Sequence, residues 1–182
     1  VYKRQYSTSE KRSPLGIYGL SKAKAEEAIE KIFQGTNQGI ILRTSWLISP
    51  FGKNFLLTIL KLLKKNEDIK IVNDQIGSIT SVFSLAEVCW KIIGLEDYSI
   101  DLKNNKNIIL HWHDHGETNW YEVALSIRNL GKKIGLIKSD AKIIPIKTSD
   151  YYSLAKRPLY SVLECATTKK LLNHENTKWE YG

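Results

Sequence analysis

Two hydrophobic patterns alternate along the chain. Longer segments carry apolar residues at a helical spacing, and shorter apolar runs bounded by Gly, Asn or Asp are typical of buried strands. The longer segments predict helices at residues 13–33, 54–65, 81–94, 119–130 and 167–172. The shorter runs predict strands at residues 39–44, 69–72, 108–112 and 141–147. Helix and strand therefore alternate with short connections, which predicts an α/β fold.

Polar residues mark several helix starts and one loop. Ser81 or Ser84 is suited to cap the third helix, and Thr118 precedes the fourth, with Glu122 near its first turn. An Asn/Lys-rich loop is expected at residues 101–107. Apart from this loop, the chain shows no long linker, repeat or low-complexity tract, so a continuous α/β assembly is expected.

The composition limits the class of protein. The chain has 182 residues, 42% of them hydrophobic, which suffices for one domain with a core or for part of a larger one. No apolar run is long enough to span a bilayer and no leader pattern is present, so a cytoplasmic protein without membrane contact is expected. The net charge of +8 is scattered along helices, which argues against a nucleic-acid surface. Cys89 and Cys165 are isolated, and we expect both to be buried small hydrophobic residues.

Tyr18 and Lys22 carry the clearest chemical signal. Residues four apart lie on the same face of a helix, so this phenol and this ammonium can meet at one bound molecule. A nearby cation favours a phenolate over a phenol, whose reference pKa is about 10, and so eases proton exchange with a carbonyl or alcohol oxygen. The same spacing also arises from one packing residue and one solvated charge, so the spacing alone leaves both interpretations open.

Two features are missing from the sequence. There is no glycine-rich turn between a strand and a helix, where a dinucleotide-binding fold would hold a pyrophosphate. There is also no methionine, and residues 1–10 resemble neither a strand nor a helix start. We therefore expect a truncated reading frame that corresponds to the second half of a dinucleotide-binding fold, and we doubt that residues 1–5 are native.

Several motifs together resemble one family. They are Pro14-Leu15-Gly16-Ile17-Tyr18-Gly19 with Lys22 and Glu26, Arg43-Thr44-Ser45-Trp46, Asn54-Phe55, Asp74-Gln75-Ile76-Gly77-Ser78-Ile79-Thr80, Gly116-Glu117-Thr118-Asn119-Trp120-Tyr121-Glu122 and Arg157-Pro158-Leu159-Tyr160-Ser161-Val162-Leu163. In order and spacing they resemble the dTDP-4-dehydrorhamnose reductases, an extended branch of the short-chain dehydrogenase/reductases. Ile79 stands where that family usually has proline.

The resemblance implies a fold and a division of the chain. The fold would be α/β, the second half of a Rossmann-type NAD(P)-binding fold plus a small α/β substrate-binding domain. Residues 1–80 would form the C-terminal part of the Rossmann-like domain, and residues 81–182 mainly the substrate-binding domain, with some segments returning to the Rossmann core.

The resemblance also implies an activity. It is the reduction by NADPH or NADH of the 4-keto group of dTDP-4-dehydro-6-deoxy-L-mannose, giving dTDP-L-rhamnose for polysaccharide biosynthesis. Tyr18 would donate a proton to the sugar C4 oxygen, and Lys22 would hold the nicotinamide ribose. A non-catalytic binding or regulatory subunit of the same fold, and a related sugar-nucleotide epimerase or dehydratase, stay open as alternatives. The choice of cofactor, any magnesium dependence and a homodimer are left open.

The resemblance places five residues at the substrate. Trp46 would stack on the sugar nucleotide or form a wall of its pocket, or it is a core residue that caps the sheet. Arg157 would neutralise the diphosphate, or it has a helix-packing or surface role. Asn54 would reach a sugar or phosphate oxygen, although it is equally suited to cap a helix. Gln75 and Thr80 would line the nucleotide side, or they would satisfy loop amides instead.

The alternating histidines His111, His113 and His115 suggest a metal site, because on a strand they would share one face. No carboxylate or cysteine completes such a site, so we expect no metal and solvent-exposed histidines. The family's catalytic serine or threonine would precede this chain. We therefore expect that the polypeptide alone neither binds NAD(P)H nor turns over substrate.

Overall fold

A computed structural model of the chain describes residues 4–34, 36, 39–95 and 108–179. The helices are α1 (Ile17–Ile32), α2 (Phe55–Lys64), α3 (Val82–Ile93), α4 (Trp120–Lys133) and α5 (Ala166–Leu172). The strands are β1 (Ile40–Thr44), β2 (Leu47–Ile48), β3 (Ile69–Val72), β4 (Ile76–Gly77), β5 (Thr80–Ser81), β6 (Ile108–Trp112), β7 (Thr118–Asn119) and β8 (Ile143–Ile146). All five predicted helices and all four predicted strands are confirmed. The polar loop expected at residues 101–107 lies outside the described residues.

The longer strands pair in parallel across large separations in sequence. Strand β1 pairs with β6, which brings Arg43 opposite His111, and β3 pairs with β8. The short β2 and β5 also run parallel, whereas β4 and β7 are antiparallel. Parallel pairs need long crossover connections, and α-helices provide them here. The described residues therefore form a mixed α/β fold.

Two hydrophobic cores lie beneath the helices. The first joins α2, α4, β3 and β8 around side chains such as Ile59, Leu63 and Val123. The second joins β1, β6, α3 and α5 around Leu110 and Trp112, both fully buried. Each core draws elements from both halves of the chain, and the domain boundary expected near residue 80 stays a prediction.

Side-chain caps start three of the helices. Asn54 accepts a hydrogen bond from the backbone N–H of Leu57 at the start of α2, and Ser81 accepts one from Phe83 at the start of α3. Asn119 caps α4 by accepting a bond from the N–H of Glu122. Such caps satisfy backbone donors that a helix leaves unpaired at its first turn. Of the two serines considered for α3, the structure selects Ser81.

The two cysteines have different environments. Cys165 is buried, as predicted, and burial raises the pKa of its thiol to about 11. Cys89 is exposed on α3, so the prediction that both cysteines are buried was wrong for Cys89. The reason is that α3 packs through Val88 and Ile92, and Cys89 lies beside this buried stripe rather than within it. Within the described ranges, no helix combines the length and apolar character needed to cross a bilayer.

Candidate active site

The Tyr18–Lys22 pair lies on the exposed face of α1. The Tyr18 side chain is 77% exposed, and Lys22 places its Nζ over the phenol ring, 5.5 Å from the ring centroid. The two groups therefore share one open surface, as the four-residue spacing predicts. A proton donor and a cation that both face outward can contact the same incoming molecule, which is the arrangement expected for proton transfer to a carbonyl oxygen.

Helix α1 is held by charges more than by apolar packing. Ala23 is its one buried residue among those described, and Ile17 is 88% exposed. Glu26 forms a bidentate pair with Arg43 on β1, with Nε to Oε1 at 2.8 Å and Nη2 to Oε2 at 2.7 Å. Arg12 donates to Glu26 Oε2 at 2.6 Å and to Glu30 Oε1 at 2.5 Å. Bidentate arginine–carboxylate pairs fix orientation, so this network sets how α1 sits on the strand.

Burial and hydrogen bonding act in opposite directions on Glu26. Burial alone would raise its pKa, but the hydrogen bonds from Arg43 and Arg12 lower the pKa below the ordinary glutamate value. The two arginines also surround its carboxylate with positive charge. Glu26 is therefore ionised at neutral pH and fully engaged within the network.

Trp46 follows β1, where ligand sites form at the carboxyl ends of parallel strands. Its φ is +42°, an unusual backbone conformation for a bulky residue and one that costs about 1–3 kcal/mol. The indole stacks on Trp120, with ring centroids 3.9 Å apart and an interplanar angle of 16°. Phe55 packs on the same Trp120 ring at 4.4 Å. Trp120 thus covers one indole face, and a ligand could use only the part of the half-buried Trp46 ring that stays exposed.

The amide of Asn54 is used within the chain. Its Oδ1 accepts the cap hydrogen bond from Leu57, and its Nδ2 donates to the carbonyls of Ser49 at 2.8 Å and Phe51 at 3.1 Å. Both donors and one acceptor are therefore occupied by loop and helix backbone. The structure places Asn54 at a loop–helix junction as a cap, the alternative that the sequence left open.

Gln75 and Thr80 are also engaged within the protein. Thr80 is fully buried, donates to the Ser45 carbonyl at 2.6 Å and accepts from the Thr44 hydroxyl at 2.9 Å. Gln75 is buried and donates to the Thr148 hydroxyl at 3.2 Å. Thr80 therefore supports the strand end that carries Trp46. Gln75 fastens the chain that follows β3 to the 3₁₀ turn at Thr148–Asp150.

Arg157 lies in an exposed segment between that turn and α5. Further along the same segment, the Tyr160 hydroxyl donates to Glu117 Oε1 at 2.8 Å. Burial and the neighbouring Glu117 carboxylate raise the pKa of Tyr160 to about 12. Tyr160 is thus a neutral hydrogen-bond donor that fastens this segment to the loop before β7.

The histidine cluster is more buried than expected. His111 and His113 are 1% and 5% exposed, and only His115 faces solvent, so the expectation of three exposed histidines was wrong for two of them. His111 pairs opposite Arg43 in the β1–β6 ladder, and His113 lies between the carbonyls of Asp114 and Leu163. Among the described residues, no group of three or more His, Cys, Asp or Glu side chains could hold a metal ion.

A comparison with protein families shows which family the chain belongs to. The family described as the RmlD substrate binding domain matches residues 2–182. The chain belongs to this family.

Curated relatives match most of this chain. It is 30% identical over 176 residues to a dTDP-4-dehydrorhamnose reductase from Aggregatibacter actinomycetemcomitans, covering 97% of this chain and 58% of that protein. It is 34% identical over 158 residues to the spore coat polysaccharide biosynthesis protein SpsK of Bacillus subtilis, covering 87% and 49% respectively. The chain thus spans about half the length of the curated relatives it matches.

Solved structures confirm the α/β, Rossmann-type fold. A dTDP-4-dehydrorhamnose reductase from Bacillus anthracis, crystallised in complex with NADP, superposes with a TM-score of 0.80 at 28% identity. The match covers 97% of this chain and 57% of that one. A dTDP-glucose 4,6-dehydratase from the same organism shares the fold with a TM-score of 0.76 at 13% identity, covering 100% and 54%.

Sequence reasoning missed two features of the candidate site. Glu26 and Arg43 were identified only as members of the family motifs. Arg43 is a charged residue inside an apolar strand, and Glu26 lies one helical turn after Lys22. Both facts signal a buried ion pair. The stack of Trp120 on Trp46 joins segments distant in sequence, and no local pattern indicates it.

Proposed function

We propose that the intact protein carrying this chain reduces the 4-keto group of dTDP-4-dehydro-6-deoxy-L-mannose to dTDP-L-rhamnose with NADPH or NADH. The observation that carries the proposal is the outward-facing Tyr18–Lys22 pair on α1, in a chain that belongs to the RmlD family. The relatives named as reductases support the choice of a keto sugar linked to dTDP.

Tyr18 is the proton donor in this proposal. Its exposed hydroxyl gives a proton to the sugar C4 oxygen, and the phenolate that this step leaves behind lies next to the Lys22 ammonium. The ammonium also offers three donors to the ribose hydroxyls of a nicotinamide cofactor. Both side chains are exposed, so the residues present fit a cofactor at this surface. When bound, the reduced nicotinamide supplies the hydride.

The five other predicted residues divide into two groups. Trp46 and Arg157 are the direct substrate contacts, because the Trp46 indole is only half-buried and Arg157 is exposed with a forked guanidinium suited to a diphosphate. Asn54, Gln75 and Thr80 border the same site, and their polar atoms hold the loops that shape it. The second group therefore acts on binding mainly through the position of Trp46 and neighbouring backbone.

The decisive experiment replaces Tyr18 by Phe in the intact protein and follows NADPH oxidation with the dTDP-4-keto sugar. Loss of a general acid lowers kcat by about 10²–10⁴-fold. Tyr152→Phe is a matched control, since Tyr152 is another exposed tyrosine, at 86%, and is not among the residues proposed to contact substrate or cofactor. A Tyr18→Phe protein that reduces the sugar as fast as the Tyr152→Phe control would refute the assignment.

We also propose that the intact protein is cytoplasmic. Its oligomeric state has to be measured. A homodimer fits the apolar side chains that remain exposed on α3, among them Phe83, Trp90 and Ile93. Light scattering on the intact protein reports the mass directly. A monomer at all concentrations would remove the homodimer and leave the reductase proposal intact.

A further inference from the structure

We propose that Arg12 and Arg43 keep the Tyr18–Lys22 pair assembled by engaging Glu26, the carboxylate that would otherwise draw the Lys22 ammonium away from the phenol. The catalytic meaning of this inference rests on the proposed function. Arg12 and Arg43 are positioning residues, because they act on Lys22 through Glu26 and contact neither substrate nor cofactor.

The competition follows from the spacing along α1. Tyr18, Lys22 and Glu26 follow one another at four-residue intervals, so all three lie on one helical face with Lys22 between an aromatic ring and a carboxylate. A lysine can pair with a glutamate four residues away, and it can also lie over an aromatic ring. On an exposed helix the two attractions are of similar size, so a small bias decides which partner the ammonium takes.

The arginines supply this bias. Three guanidinium hydrogen bonds, at 2.6–2.8 Å, occupy both oxygens of Glu26, whose side chain is only 15% exposed. The carboxylate charge is thereby matched by two positive charges, and a third cation gains little by approaching it. Within the described part of the chain, Lys22 forms no ion pair, and its Nζ lies over the Tyr18 ring instead.

The arginines therefore do two things at once. Arg43 anchors α1 to β1, and together with Arg12 it neutralises the carboxylate one turn beyond Lys22. A purely structural role of the arginines would need only the anchoring of α1 to β1. Neutralisation of the Glu26 carboxylate makes a distinct prediction, since removing Glu26 should restore the Lys22–Tyr18 contact that is lost when the arginines are removed.

The test uses nuclear Overhauser contacts between the Lys22 ε-methylene and the Tyr18 ring in the 182-residue chain. We expect them in the unaltered chain, and we expect them to be lost in the double variant Arg12→Gln/Arg43→Gln. In the triple variant Arg12→Gln/Glu26→Gln/Arg43→Gln the contacts return, even though it lacks one more native side chain. Contacts that persist in the double variant, or stay absent in the triple variant, overturn the proposal.

A conservative variant covers the case in which the double variant fails to fold. Arg12→Lys/Arg43→Lys keeps both positive charges beside Glu26 while losing the forked hydrogen bonds. We expect the Lys22–Tyr18 contacts to be retained. Their loss in a chain whose α1 is still helical by backbone chemical shifts overturns the proposal.

The spectroscopic outcome does not depend on turnover. In the intact protein we expect the double variant to lower kcat with little change in the KM for the dTDP-sugar, and the triple variant to recover kcat. If the contacts follow the expected pattern and the intact protein does not reduce the sugar, the inference about Lys22 stands and the proposed function fails. If the protein reduces the sugar and kcat does not recover in the triple variant, the catalytic role of the arginines is overturned.

Discussion

Gly77 lies against the indole of Trp46 with no room for a side chain. A Cβ built on Gly77 would stand 2.6 Å from both Cε2 and Cζ2 of Trp46 and 3.0 Å from the hydroxyl oxygen of Ser161. Trp46 cannot retreat easily, because its ring is stacked on Trp120. The close approach of backbone and ring therefore explains why glycine is needed in β4.

Gly77→Ala is the first prediction. The added methyl must displace a packed indole, so we expect the free energy of unfolding to fall by about 1–3 kcal/mol. Chemical denaturation at neutral pH measures this directly. Gly16→Ala is the control, because Gly16 has no atom within 4 Å of its would-be Cβ. Because Gly16 is the N-cap of α1, where Ala is less favourable than Gly, the control should lose at most about 1 kcal/mol. A Gly77→Ala protein as stable as the parent would show that the indole moves freely.

Asn54→Ala separates the two roles that the sequence allowed for this residue. Loss of an N-cap lowers the free energy of unfolding by about 1 kcal/mol. The matched control is Asn119→Ala, which removes the equivalent cap from α4. We expect similar losses of stability from both variants and a similar KM for the dTDP-sugar in the intact protein. A KM that rises in Asn54→Ala alone would contradict a role limited to capping the helix.

Local patterns predict local parts of this fold well. The spacing of apolar residues predicted β3 at its observed bounds, and the four-residue interval placed Lys22 over Tyr18. Both outcomes depend on neighbours within one element, which the sequence shows directly. The same reasoning identified α5 within one residue of its observed start.

Contacts between distant segments were not predictable in this way. Arg43 and Glu26 are 17 residues apart and meet only because α1 packs beside β1. His111 of β6 and the following His113 and His115 were expected in solvent because no carboxylate or cysteine completes a metal site with them. The strand is instead paired with β1 and covered by α3 and α5, so His111 is buried while β6 still contributes Leu110 and Trp112 to the core. Burial of both faces of a strand depends on which elements pack against it. The alternation of polar and apolar residues along the strand does not show this.

The Asp74 carboxylate predicts a loss of stability in acid. Burial acts to raise its pKa, but hydrogen bonds from the Thr148 hydroxyl at 2.6 Å and the Thr148 N–H at 3.0 Å lower the pKa below the ordinary aspartate value. A carboxylate with a lowered folded-state pKa stabilises the fold above the unfolded-state value of about 4 and loses that contribution as pH falls through the folded-state pKa.

Asp74→Asn tests this assignment. The variant should be less stable than the parent at neutral pH, and the difference should shrink as pH falls below about 4, where Asp74 of the parent becomes protonated. Chemical denaturation across this pH range measures both curves. Asp140→Asn is the control, because the Asp140 side chain is 96% exposed. A stability difference for Asp74→Asn that is constant with pH would show that the carboxylate charge is not what holds Thr148.

His111 predicts a second loss of stability, at a higher pH than the loss that Asp74 causes. Burial lowers its pKa below the ordinary histidine value, and the positive charge of Arg43 adds to this effect. Arg43 Nη1 lies 3.3 Å from His111 Nε2, and because a guanidinium only donates, Nε2 accepts and the ring is neutral. In the unfolded chain this histidine takes up a proton below about pH 6.5, whereas in the folded chain it does so only at lower pH. The free energy of unfolding should therefore fall as pH drops below about 6.5.

His111→Gln isolates this contribution. A glutamine oxygen can accept the same Arg43 hydrogen bond, but it cannot take up the proton. We expect the variant to lose less stability than the parent between about pH 6.5 and about pH 5, with the two curves parallel above that window. His115→Gln is the matched control, since His115 is exposed and its substitution should leave the parent's slope unchanged. Equal slopes for the parent and His111→Gln would mean that His111 takes up its proton with equal ease in the folded and unfolded chain, contrary to its burial beside Arg43.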